Sequence, residues 1–148
     1  MELPKKPTDK TPLPEEKSKE LSLIKQKIAI TFTPLYTFLK AVEEDRSLKD
    51  TTWDAFYPVI SEQRIGEIFK EAKNMVKNHP DLKNVYEKFF SDNEEEIVKD
   101  EKIRKLISCL EKGNKNEFRS YFNLYGNTLK VWFNSLMDDI YKIIQSYY

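Results

Sequence analysis

Several of the commonest chemical tools are nearly missing from this chain of 148 residues, which has one cysteine, one histidine and three glycines. The lone Cys109 excludes an internal disulfide framework and fits a reducing compartment. A single His79 excludes the two-histidine H-E-x-x-H motif, and together with Cys109 it supplies too few soft ligands for a structural zinc site. The glycines are scattered, so no G-x-x-x-x-G-K-[ST] or G-x-G-x-x-G loop is present to cradle phosphate. No apolar run approaches the roughly 20 residues that a spanning helix needs, and Met1-Glu2-Leu3-Pro4 lacks the apolar stretch of a secretory signal. Net charge is also missing, with 25 basic residues against 25 acidic ones. A protein that grips nucleic acid by its phosphates usually has a basic excess or a basic face, and here only a local face remains open. The absences point to a non-enzymatic protein without metal or cofactor, cytoplasmic or packaged in a particle assembled inside a cell.

What is present is proline at one end and helical periodicity everywhere else. The first twenty residues hold four of the seven prolines and ten charges of balanced sign. Proline fixes φ and has no amide donor, so residues 1–20 read as an extended, charged, Pro-rich arm ahead of a helical domain over 21–148. In that domain Leu21, Ile24, Ile28, Phe32, Leu35, Leu39 and Val42 recur every three or four residues, through Thr33-Pro34, where the helix either kinks or restarts. The stretch from Thr51 to Tyr57 reads as a short capped turn ended by Pro58. Ser61 then caps a helix with Ile65, Ile68, Phe69, Ala72, Met75 and Val76 on one face.

A shorter helix from Pro80 or Asp81 buries Leu82, Val85, Tyr86 and Phe89. Glu94-Glu95-Glu96 would suit the first turn of the next, where carboxylates meet the positive end of the macrodipole. Gly113 suits a C-terminal cap, and Asn114-x-x-Glu117 resembles a capping box. The closing stretch, residues 118–148, holds nine of the nineteen aromatic side chains. Phe118, Phe122, Tyr125, Leu129, Trp132, Leu136, Ile140, Ile143 and Tyr147 form a nearly continuous stripe, with Gly126-Asn127 as a point of bending. Together these describe an all-α chain, a single bundle of five or six helices.

Three resemblances attach to particular residues. His79-Pro80-Asp81 resembles the signature of J-domain co-chaperones, which implies engagement of a heat-shock chaperone through that tripeptide. Where the family has aromatic and Leu-Ala positions before the histidine, this chain has Asn78, Met75, Asn74 and Glu71. A mid-chain helix opened by Ser61-Glu62-Gln63-Arg64-Ile65 and a late aromatic helix with Glu117-Phe118-x-x-Tyr121-Phe122 are similar to the small helical subunits of type III CRISPR effectors. That likeness implies basic side chains on RNA or displaced DNA backbones; the late helix has Gly126-Asn127 and Val131-Trp132 in place of the family's Glu-Ala and Ala-Tyr pairs. The layout of proline-bearing arm and helical domain also resembles the coat proteins of filamentous archaeal viruses, implying assembly.

The residues themselves support an interaction or assembly protein first. Large apolar groups exceed what the main stripes use, and Tyr121, Phe133, Tyr141, Tyr148, Trp53 and Phe56 are the expected partner interface. Nucleic-acid backbone binding is the alternative, through Lys70, Lys73 and Lys77 on one helix edge and Lys83 and Lys88 on the next. Catalysis has no nucleophile–base pair to rest on, and Cys109 among Leu106, Ile107 and Leu110 reads as a buried, inert thiol.

Overall fold

The computed structural model describes residues 14–44, 50–62 and 64–147. Seven α-helices follow one another there: α1 Pro14–Glu44, α2 Asp50–Glu62, α3 Ile65–Lys77, α4 Lys83–Phe89, α5 Glu101–Lys112, α6 Lys115–Tyr125 and α7 Thr128–Gln145. A 3-10 turn over Pro80–Leu82 joins α3 to α4. The all-α class is as the periodicity predicts, but the helices number more than five or six.

Each extra boundary has a local cause. Gly126 takes φ 70° and ψ −159°, a region essentially closed to side-chain-bearing residues, so the closing segment divides into α6 and α7 instead of bending. Glu94 to Glu96 form a turn and not a helix start. The Ser91 hydroxyl accepts from the Asn93 amide (3.1 Å) and Asn93 accepts from the Glu95 amide (2.9 Å), which closes a loop before Asp100 caps α5. Backbone bonds from Ser91 to the Ile97 carbonyl and from Lys99 to the Phe89 carbonyl zip that loop into an isolated antiparallel bridge, Phe90 to Val98. Both bridge residues are buried.

Two expected helix starts are also displaced. The chain is helical straight through Pro58 to Glu62, and the Ser61 hydroxyl donates to the Pro58 carbonyl (3.1 Å) within α2 instead of capping α3. The cap of α3 is Arg64, at φ 56° and without a side-chain bond. Pro14 to Glu20, assigned by sequence to the extended arm, are the first turns of α1; the rest of the arm, residues 1–13, lies outside the described residues. By contrast, Gly113 in left-handed conformation ends α5 and Asn114 caps α6, as their positions predict.

α1 is the spine and packs on α2, α3 and α7. It stays helical through Pro34 because its apolar stripe keeps phase on both sides and is buried throughout, from Leu21 and Ile28 to Leu39 and Val42. Two aromatic clusters fill the core. In one, Trp132 gathers Phe32, Phe69, Phe89 and Phe90 at centroid separations of 5.5 to 6.0 Å, mostly tilted or edge-on. In the other, Trp53 stacks on Tyr57 at 4.3 Å and meets Phe38 and Phe118.

Candidate functional site: a lysine-rimmed cleft at the start of α7

The break at Gly126 has a consequence for the surface, because it frees the N-terminus of an 18-residue helix, α7. Asn127 caps that end, its side-chain oxygen accepting from the Lys130 amide at 3.2 Å. Beside it opens a cleft of about 550 Å³ lined by Lys88 and Phe89 of α4, Lys99, Asp100 and Lys102 at the start of α5, Tyr125, and Asn127, Thr128, Val131, Trp132 and Ser135 of α7. Its walls are aromatic and aliphatic, and its charged lining is three lysines against one aspartate. Val131 is 70% exposed on its rim.

The charges in the cleft are unequally satisfied. Lys88 pairs with Asp139 at 2.7 Å and lies 5.2 Å from the Phe89 ring centroid. The Asp100 carboxylate is occupied as the cap of α5, accepting from the Ile103 amide. Lys99 donates to the Glu87 carbonyl, and Lys102 lies 5.3 Å over the Tyr125 ring. Among the described residues, neither Lys99 nor Lys102 has a carboxylate within ion-pair distance. Their positive field therefore adds to that of the α7 N-terminus. The indole N–H of Trp132, a lining residue of the cleft, is buried and has no hydrogen-bond acceptor among the described residues.

The expected partner residues are mostly elsewhere. Tyr121 is 6% exposed and belongs to the core: its hydroxyl lies 2.7 Å from the Lys102 carbonyl and 2.6 Å from the Thr128 hydroxyl. A carbonyl only accepts, so Tyr121 donates to Lys102 and Thr128 donates to Tyr121. Burial pushes the Tyr121 phenol up to about 12. Trp53 is likewise buried, and Phe133 is half-buried against Phe32 at 5.4 Å and Tyr36 at 5.8 Å. Tyr141 is exposed, with the Lys25 ammonium 5.5 Å from its ring centroid. The side chains of Phe56 and Tyr148 lie outside the described residues. Sequence periodicity misplaced Tyr121 because it treated α6 and α7 as one helix with one face.

The expected lysine edge divides as well. Lys73 is buried at 8% exposure, which removes it as a backbone contact. Lys70 is exposed but stands 3.7 Å from Glu67, while Lys77 and Lys83 are exposed. Of the five, only Lys88 lines the cleft. Lys99 and Lys102 are not singled out by the sequence because they flank a helix start, Glu101, that lies seven residues beyond the expected one at Glu94.

His79-Pro80-Asp81 is turned onto its own chain. The Asp81 carboxylate accepts from Lys17 of α1 (2.9 Å) and from the Tyr147 hydroxyl beyond α7 (2.6 Å). The Asp81 amide donates to Nδ1 of His79, leaving Nε2 to face Glu20 at 3.4 Å. The tripeptide thus clasps the two ends of the described chain together. The Tyr147 hydroxyl and then Lys17 hold the Asp81 carboxyl below its ordinary value.

A second cleft, of about 590 Å³, lies among Tyr57, Arg64, Gly66, Ile97 and Glu111. A β-carbon at Gly66 would stand 2.7 Å from a Glu111 carboxylate oxygen, a contact that the exposed Glu111 side chain can relieve by moving. Among the described residues no three His, Cys, Asp or Glu side chains converge so as to hold a metal ion. Cys109 sits 3.7 Å from Glu117, and burial raises its thiol above the ordinary value. No described helix is long and apolar enough to cross a membrane. No family model, curated protein or solved structure matches this chain.

Proposed function

We propose that this protein is a non-catalytic helical binding subunit that works by holding a partner within a larger assembly. The observation that carries the reading is the outer side of α1. Leu23, Ile30 and Pro34 fall on one side of that helix, opposite the buried stripe, and Ile30 is 63% exposed. Ile30 stands between two adjoining shallow grooves of about 420 and 320 Å³, whose other walls include Ile68 and Met75 of α3. A second apolar spine on a helix whose first is already buried is the arrangement that partner surfaces use. Lys27, Glu67 and Glu71 at the margins supply the polar rim. The engagement of His79, Cys109 and Asp81 in contacts within the chain leaves them poorly disposed for acid–base work.

The test is association. Light scattering of the full chain across a concentration series, and co-purification from its native source, are compared with those of Ile30→Glu. The variant should fold as the parent does and lose the partner. A parent that stays monomeric and brings down nothing that Ile30→Glu fails to bring down would refute the reading.

A second reading, nucleic-acid contact, is favoured by the unpaired lysines of the cleft and not by the α3 edge first considered. A type III CRISPR-like or J-domain-like role has less support. Lys73 is buried, and the His-Pro-Asp groups are committed to Glu20, Lys17 and Tyr147.

A further inference from the structure

We infer that the cleft at the start of α7 binds a nucleotide unit, free or within a single strand: a planar ring against its apolar walls and a phosphate on Lys99 and Lys102. The inference is separate from the assembly reading and stands or falls without it.

Two halves of the site correspond to two halves of that ligand. Tyr125, Val131 and the wall formed by Phe89 and Trp132 give a flat apolar recess, and its volume of about 550 Å³ fits a ligand of mononucleotide size. Base-on-aromatic contact is tolerant of base identity, because every base has a π face. The cationic half outnumbers the one carboxylate of the lining, Asp100, which is engaged as the cap of α5. Of the three lysines lining the cleft, only Lys88 has a carboxylate partner. Lys102 is steered over Tyr125 by the ring's electron-rich face, so its ammonium waits at the edge of the surface where a ring would lie.

One further feature favours an anion. The first-turn amides of α7 beside Thr128 carry the positive end of that helix. A fatty or purely apolar ligand would leave the lysines unanswered. Inorganic phosphate would leave the apolar walls in water.

Trp132 also supplies the reporter, since the chain has two tryptophans and Trp53→Phe leaves Trp132 alone. Fluorescence of that variant is titrated with adenosine monophosphate, inorganic phosphate and a ten-nucleotide oligothymidine at low salt. Equilibrium dialysis with the unaltered protein repeats each titration without relying on the variant's fold.

The expected result is saturable binding of the nucleotide and the oligonucleotide, with phosphate competing weakly. Lys102→Gln and Lys99→Gln/Lys102→Gln should weaken it by about tenfold or more, whereas Lys70→Gln/Lys77→Gln on α3 should leave it within about twofold. Oligonucleotide binding at least about tenfold tighter than the monophosphate assigns the site to a strand, and comparable affinities assign it to a free nucleotide. Binding by neither ligand, or equal loss from the α3 pair and the cleft pair, overturns the inference.

Discussion

Truncating Tyr121 distinguishes a core residue from a contact residue in one measurement. Its ring is buried beside Tyr125 at 5.1 Å, and its hydroxyl ties Lys102 of α5 to Thr128 at the start of α7. Tyr121→Phe removes the hydroxyl alone. The Lys102 carbonyl lies within the ladder of α5 and Thr128 is only partly buried, so neither group is stranded, and the cost should be an ordinary net hydrogen bond, about 1 kcal/mol. Tyr121→Ala also opens a cavity between α5, α6 and α7 and should cost about 3–5 kcal/mol, as large aromatic truncations do. Urea unfolding followed by far-UV circular dichroism measures both. The alanine variant should move the midpoint by an amount on the order of 1–3 M with the slope unchanged, and the phenylalanine variant by a small fraction of that. Thr128→Val should then cost little in the Tyr121→Phe background, because the bond it removes is already gone. If Tyr121 were a surface anchor, Tyr121→Ala would change stability by less than about 0.5 kcal/mol. That outcome would refute the burial argument.

Other outcomes follow from the same contacts. The Asp81 carboxyl is depressed in the folded state, so its stabilisation is complete above the ordinary value of 3.8 and is lost as pH falls through the lower folded value. Thermal midpoints of the protein and of Asp81→Asn should therefore differ near neutral pH and converge as the pH is lowered below 3.8; a constant gap would contradict the clasp. Gly126→Ala adds a β-carbon that meets nothing within 4 Å, so its cost should be the backbone term alone, roughly 1–3 kcal/mol. Gly113→Ala places a β-carbon 2.9 Å from the Tyr57 hydroxyl at a residue of positive φ, so urea unfolding should show it less stable than the parent by roughly 1–3 kcal/mol. A thiol reagent should modify Cys109 slowly in the folded protein and rapidly in denaturant, because burial disfavours its thiolate. Fast labelling under native conditions would disprove that.

The helical class, the phase of α1 and the caps at Gly113 and Asn114 were legible in the sequence because each depends on residues within one or two turns. Spacing of three and four marks a buried stripe wherever the partner helices lie, and a left-handed glycine ends a helix without reference to the rest of the chain. Tyr121 and Trp53, expected at a partner interface, are buried instead by packing against residues from other helices, and such coverage is a property that periodicity does not encode. The same limit hid the cleft. Lys99 and Lys102 read as ordinary surface charges until the Ser91–Asn93 loop, the bridge from Phe90 to Val98 and the break at Gly126 bring them beside Tyr125 and the start of α7. The amino-acid order by itself determined the all-α class and the apolar faces of the longer helices, as in α1. Only the tertiary structure decided which apolar faces stay exposed, as at Ile30, and which lysines are left without a counter-charge, because both depend on side chains that approach through space and not along the chain.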